Sequence, residues 1–377
     1  MNSRDTTTKV EESPYPVTRK DSMFVALRDL RFARGRFVLI GSVVALITVL
    51  VGFLSGLTGG LATQNISAVL AIPADRLVFA APASEGAVSF ADSVITADQS
   101  RRWAEAAGVT AVEPIGISQT RAEVGEARIG VAIFGVQSSF SDTAPSGDGL
   151  VSLAAPAAAD LGVDVGEEVR IAGMSFIVES IAGDAWYSHT PVIEMTLNDW
   201  QAYSAVTGNP DSYATVLAVT GAPDWDAVDD LNLTSSQSIL GSLTALSAFR
   251  SEIGSLLLMV AMLFGISGLV IGAFFTVWTM QRKGDIAVLK ALGASTSSLV
   301  RDALGQALIV LLLGIGGGLG VVAVLGTLAG TALPFLLSPL TTLLPGLIMI
   351  TLGLAGAAFA LRSVTSADPL TALGSNR

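Results

Sequence analysis

Apolar positions gather into four long stretches, and the segments between them follow other patterns. Residues 37–61, 250–280, 301–330 and 343–361 are each dominated by Leu, Val, Ile, Ala, Phe and Gly. Each approaches or exceeds the ~20 residues that a helix needs to cross a bilayer. The first stretch follows a polar N-terminal region, is longer than the ~7–15-residue apolar core of a leader peptide, and shows no small-residue cleavage site, so it reads as a retained span. Residues 62–249 alternate instead. ARIGVAIFGV (127–136) has period two, and EEVRIAGMSFIVESIAG (167–183) reads as a hairpin about Ala172 and Gly173. Shorter strands are predicted at 75–81 and 212–220, and helices at 98–108, 154–162 and 196–208, each closing on a Gly. The predicted fold is a membrane protein of four transmembrane α-helices with a large α+β extracytoplasmic domain, 62–249, between helices 1 and 2. A short outer loop, 331–342, joins helices 3 and 4.

Charge gives the orientation. Residues 63–249 hold six Arg and no Lys against 23 Asp and Glu, a formal charge of −17. Eight Lys and Arg lie in 1–36, four more in 280–302, and Arg362 and Arg377 follow the last span. By the positive-inside rule these basic pieces are cytoplasmic: the N-terminus 1–36, the loop 281–300 and the tail 362–377. The acidic domain is then outside.

Composition narrows the chemistry. The chain is 51% hydrophobic and 14% charged, with a mean hydropathy of +0.63, values of a membrane protein. With no Cys, thiol catalysis and Cys-type metal sites are excluded. A net charge of −11 argues against nucleic acid as a partner. No GxSxG, HExxH or SxxK pattern is present, and nothing supports an outer-domain enzyme. The single histidine, His189, lies in WYSHTPVIEM without further ligands at metal-site spacing and reads as structural, bonding a loop backbone.

The spans contain almost no ionisable residues, which argues against a polar pathway through this chain. Arg250 and Glu252 stand at the outer end of the second span. They are either interfacial anchors or, with Ser255, Met259 and Met262 at helical spacing, one stripe able to face a large amphipathic ligand. Gly314/Gly318 and Gly316/Gly320 permit close helix packing, within the chain or across a dimer. In MQRKGDIAVLKALGASTSSLVRD (280–302), Ile286, Leu289 and Leu292 share one helical face. Asp285 lies off that face, Lys290 flanks it, Gly293 offers a left-handed stop, and Ser295 or Thr296 can cap the next helix. This predicts a short amphipathic helix that docks on the membrane surface or in a partner's groove.

That last stretch resembles the coupling helix of the FtsX/MacB-like permeases of ATP-binding cassette (ABC) transporters. So does its setting: MFVALRDLRFARGRF (23–37) is similar to the family's N-terminal amphipathic helix, and RSVTSADPLTAL (362–373) to its C-terminal motif, matched at Asp368, Pro369, Ala372 and Leu373. Within the family the greatest similarity is to the haem-exporting HrtB permeases of Gram-positive bacteria, carried by ALRDLRFARGRF, VALITVLVGFLSGLTGGLA, PADRLVFA and YSHTPV.

The resemblance implies a multi-pass plasma-membrane permease subunit rather than an enzyme, with both termini cytoplasmic. The chain has no GxxxxGK[ST], so ATP and Mg would be bound by a separate cytoplasmic ABC ATPase dimer. It implies a homodimer of the permease and a coupling role for Asp285, Ile286, Leu289, Lys290, Leu292 and Gly293. Gly-packed spans would transmit the ATPase motion outward. No intrinsic cofactor is implied; haem is the expected substrate. Glu252 is the first candidate for its iron and Met259 the second, with Arg250 for the propionates and Ser255 on the same stripe. Tyr187, His189 and Met195 are outer-domain alternatives. Other readings of the same family are an envelope-regulating FtsX-like transducer and an exporter of a peptide or lipid.

Overall fold

The computed structural model describes residues 34–82, 86–282, 284, 288, 293, 295–330 and 333–365. Most of the expected N-terminal amphipathic helix and the Asp368–Leu373 motif lie outside the described residues. Four helices are long and apolar enough to cross a membrane: α1 (Arg34–Leu70), α7 (Ser247–Gln281), α8 (Thr296–Ala329) and α9 (Pro339–Thr365). At 37 residues α1 is about 55 Å long, well beyond the ~30 Å of a hydrocarbon core. The chain divides into a helical unit (Met1–Phe53, Met262–Leu325, Pro339–Arg377) and a second unit (Leu54–Ala261, Gly326–Ser338).

The second unit carries the large domain. Its strands are β1 (Arg76–Ala80), β2 (Val109–Val124), β3 (Ala127–Val136), β4 (Leu150–Leu153), β5 (Glu168–Ile171), β6 (Met174–Ile181), β7 (Trp186–Tyr187), β8 (Thr190–Thr196), β9 (Val216–Gly221) and β10 (Thr234–Ser238). Short helices are α2 (Ala97–Ala104), α3 (Ala155–Leu161), α4 (Leu197–Val206), α5 (Trp225–Asn232) and α6 (Ile239–Ser242). The strand order is β10-β1-β9-β2-β3-β8-β4-β6-β5, and a β2–β5 pairing closes β2, β3, β8, β4, β6 and β5 into a ring. Alternate residues fill that ring: Val131 and Ile133, Ile193 and Met195, Val151 and Leu153, Val169 and Ile171. Helices α3 and α4 add Leu161, Trp200 and Tyr203 to the same core. Trp200 lies so close over the paired Gly116 and Gly135 that a Cβ at either would stand 2.0 or 2.3 Å from it. Glycine is therefore required at both.

The first half of β2 continues into the antiparallel sheet β10-β1-β9-β2. One face packs on Trp103 of α2. The other packs on Ile66, Val69 and Ile72, the end of α1 and the residues just after it.

The segment before α9 makes a tight fit. Phe335 rests on Gly56 of α1 and Gly326 of α8, where an added Cβ would lie 2.3 and 2.4 Å from the ring. The Pro334 carbonyl oxygen would stand 1.8 Å from a Cβ at Gly60, and the Leu336 N–H donates to Gly56 O at 3.0 Å.

In the helical unit, side chains from all four long helices share one core, including Val44, Phe275, Leu311 and Met349. Between apolar helices in lipid, close backbone approach replaces hydrophobic burial as the source of packing energy. Accordingly, a Cβ on Gly314 would lie 2.9 Å from Val44, one on Gly318 2.6 Å from Thr48, and one on Gly356 2.9 Å from the Gly272 Cα. A Cβ on Gly316 or Gly320 would meet nothing within 4 Å among the described residues beyond its own turn of helix. Among the described residues, therefore, only the first of the two small-residue pairs packs within the chain.

Candidate functional site

The site is built on a hairpin turn. Strands β7 and β8 are joined by Ser188 and His189, both at positive φ (48° and 64°), as a two-residue type I′ turn requires. Neither is a glycine, so the turn is held by its surroundings. The Ser188 N–H donates to Asn65 O and the His189 N–H to Gln64 O, both at 2.9 Å. The Trp186 N–H donates to Ser67 Oγ at 2.9 Å. Gln119 Nε2 braces the turn from β2, donating to Thr190 Oγ1 at 3.2 Å.

This docking carries the imidazole to Glu252. His189 Nε2 lies 2.9 Å from Glu252 Oε2 and 3.1 Å from Oε1. Asn65 Nδ2 lies 3.3 Å from His189 Nε2 and donates to Glu252 Oε2 at 3.4 Å. Residues from α1, the hairpin and α7 thus meet at one polar point. Asn65 is 1% exposed, and its Oδ1 is buried without a partner among the described residues. The His189 and Glu252 side chains remain 31% and 42% exposed, so the pair is open to an incoming ligand.

His189 was expected to bond a loop backbone; its ring instead faces the Glu252 carboxylate, and only its main-chain N–H makes a backbone bond. Arg250 is exposed, one turn from Leu246, whose carbonyl accepts its N–H at 3.0 Å. Ser255 is exposed and donates to Ser251 O at 3.4 Å. Met259 is 52% exposed and shares a helical face with Glu252 and Ser255. Tyr187 and Met195 are corrected as iron ligands. Met195 is fully enclosed in the ring core, and Tyr187 packs edge-on against Phe90 and Phe134. Burial pushes the Tyr187 hydroxyl pKa far above its usual value.

At the predicted coupling segment, Asp285, Ile286, Leu289, Lys290 and Leu292 lie outside the described residues. Gly293 is described, with φ of 96°, the left-handed stop its sequence position indicates. Ser295 caps α8, its Oγ accepting the Ser298 N–H at 3.3 Å. Beside this segment Arg282 Nη1 donates to Gln306 Oε1 at 2.7 Å, and Gln306 Nε2 to Asp302 Oδ2 at 3.3 Å. Sequence reasoning missed both this relay and Asn65. The available signal was a buried-type amide, Asn65 or Gln306, in an otherwise apolar helix.

Residues 250–369 match the FtsX-like permease C-terminal family. The chain carries an FtsX-like permease domain. Its curated relatives extend the similarity over the large domain between the first two long helices as well. A "putative hemin transport system permease protein HrtB" of Staphylococcus haemolyticus is 25% identical over 366 residues, covering 93% of this chain and 99% of the relative. A protein of the same name from Staphylococcus epidermidis is 21% identical over 360 residues, with the same coverage. An "uncharacterized ABC transporter permease" of Mycobacterium bovis is 24% identical over 375 residues, again covering 93% and 99%. Among solved structures, the periplasmic region of MacB from Actinobacillus actinomycetemcomitans gives a TM-score of 0.34 at 12% identity, covering 45% of this chain and 92% of that one. The extracellular domain of the transporter YknZ from Gram-positive bacteria gives 0.33 at 12% identity, covering 43% and 99%. The FtsX family match is thus confined to residues 250–369, while similarity to curated ABC permeases runs along 93% of the chain.

Proposed function

We propose that this chain is the permease subunit of an ABC transporter that expels haem from the membrane, driven by a separate cytoplasmic ATPase dimer. Two copies form the membrane part, with both termini of each in the cytoplasm. The observation that carries the reading is the meeting of His189 and Glu252 at an exposed point beside the Ser255–Met259 face. Among the described residues no three His, Cys, Asp or Glu side chains could hold a bare metal ion. Haem iron arrives with four porphyrin nitrogens and needs only one or two protein ligands, commonly imidazole or thioether, and a carboxylate oxygen is a donor that iron also accepts. Glu252 is the first ligand in this reading and Met259 an alternative, while Arg250 pairs with a propionate. Haem partitions into lipid, so an entry from the outer leaflet requires no polar channel.

An iron bound to Glu252 competes with His189 for the same oxygens. On this reading substrate binding frees the hairpin tip from α7 while its main-chain bonds to α1 persist. The names of the staphylococcal relatives point to hemin, and those of the mycobacterial relatives to ABC transport without a substrate.

Titrating haemin into the full chain in lipid nanodiscs, read by absorbance, tests the site. Glu252→Ala is expected to weaken binding by at least about tenfold, and Arg250→Ala to a smaller extent. Wild-type affinity in both variants would remove the site. Equal growth in toxic haemin with and without the gene would remove the function.

A further inference from the structure

A cavity lies away from His189 and Glu252, between the end of α1, strands β3, β4 and β8, and the loop that follows β3. Its volume is about 690 Å³, within the range of small-molecule sites. Its walls are mainly apolar, from Ile72 and Pro73, Phe134, Leu153 and Val192. On strand β8, Ile193 and Met195 point into the ring core, so Glu194 between them points the other way, into the cavity. Thr143 Oγ1 donates to Glu194 Oε2 at 3.3 Å, and Ser141 Oγ lies 3.1 Å from that hydroxyl.

The carboxylate lacks a cation. Among the described residues Glu194 makes no salt bridge, and the only other charged side chain lining the cavity is Asp142. Four of the domain's six arginines are engaged elsewhere, Arg101 and Arg102 with Asp98, Arg128 with Glu123 and Arg76 over the Trp225 ring, and neither Arg121 nor Arg170 lines the cavity. Burial raises the Glu194 pKa, and the Thr143 and Ser141 hydroxyls offset part of the rise. A carboxylate withdrawn from water gains most from an opposite charge brought beside it. The acidic field of the domain draws cations towards it.

We propose that this cavity binds an amphipathic organic monocation, its ammonium on Glu194 and its apolar body against Ile72, Phe134, Leu153 and Val192. Haem, with two anionic propionates, is the wrong charge for it, so the assignment stands or falls separately from the haem reading.

The test uses the full chain in nanodiscs of neutral phosphatidylcholine. The probe is the monocation tetramethylrhodamine methyl ester, followed by fluorescence polarisation with empty discs subtracted; anionic fluorescein is the charge control. Saturable binding of the cation is expected, and none of fluorescein. Glu194→Gln keeps the shape and removes the charge, and should weaken binding by about tenfold or more. Ala71→Trp, at an exposed position on the cavity mouth, should block entry with Glu194 untouched. Wild-type affinity in either variant, equal binding of fluorescein, or no saturable binding of the cation would overturn the proposal.

Discussion

Phe335 seated on two glycines makes a prediction that can be worked through. In Gly56→Ala the new methyl would stand 2.3, 2.7 and 2.7 Å from three ring carbons of Phe335, where carbon atoms normally keep ~3.5–4.0 Å. The ring must leave, and overpacking of this kind costs about 1–3 kcal/mol. Phe335→Ala alone removes a half-buried ring and should cost about 2 kcal/mol, below the ~3–5 of a fully buried one. The double variant gains nothing further to clash with, so it should resemble Phe335→Ala rather than the sum, a coupling equal to the whole cost of Gly56→Ala, about 1–3 kcal/mol. Gly60→Ala supplies the internal control. Its methyl would meet the Pro334 main-chain oxygen at 1.8 Å, so Phe335→Ala should leave its destabilisation in place. Unfolding in mixed micelles with rising dodecyl sulfate, followed by intrinsic fluorescence, gives all five free energies. Additivity of Gly56→Ala and Phe335→Ala, or equal rescue of Gly60→Ala, would refute the contact.

Three further outcomes are expected. Gly318→Ala should destabilise the chain in the same assay by about 1–3 kcal/mol, because its methyl would lie 2.6 Å from Thr48 Cβ. Gly316→Ala, whose methyl would meet no described residue outside its own turn of helix within 4 Å, should be neutral or stabilising by up to about 1 kcal/mol. Gly293→Val places a β-branched residue at φ 96°. On the proposed reading it should uncouple ATP hydrolysis from haemin efflux while haemin binding at Glu252 stays intact; lost binding would contradict that division of labour. Glu194 has a folded pKa above its ordinary value of 4.5, so its protonated form suits the fold. Its contribution to stability is present below that ordinary value and is lost as pH rises through the raised one. Glu194→Gln should therefore stabilise the chain more at pH ~8 than at pH ~4, and a difference independent of pH would count against the burial of that carboxylate.

Much of the fold was legible because local rules and tertiary structure agree. The hairpin about Ala172 and Gly173 forms between β5 and β6, with φ of 51° and 83° at those two residues. The predicted strand at 127–136 coincides with β3. Gly108, Gly162 and Gly208 all take positive φ after their helices, although α2 ends earlier, at Ala104, and a turn fills the gap. Strand β2 was not legible. Its 16 residues include Pro114 and Gly116, which normally argue against a strand. It persists because it serves two sheets in turn, pairing β9 up to Ile115 and β3 from Gly116. The burial pattern changes at the crossover, so no single period survives. Strand β10, TSSQS, is polar because it lies at the end of the sheet order, where one side has no strand to satisfy.

The site was legible as residues and illegible as an arrangement. Glu252 stood out because a carboxylate at the end of an apolar helix is costly unless it is used. His189 did not, since a lone imidazole in a loop carries no spacing to test. What joins them is the type I′ turn at Ser188 and His189, which holds two non-glycine residues at positive φ at a cost of about 1 kcal/mol each. The backbone bonds from Ser188 and His189 to Asn65 O and Gln64 O offset that cost, and such bonds need no particular side chain, so they leave no mark in the sequence. The side-chain contact they set up does depend on identity. Asn65, 124 residues from His189 and 187 from Glu252, is therefore informative only once the turn is docked. A hairpin tied to α1 by its main chain and to α7 by the exchangeable His189–Glu252 side-chain contact can loosen from one helix and keep the other, and that asymmetry is what a substrate competing for Glu252 would exploit.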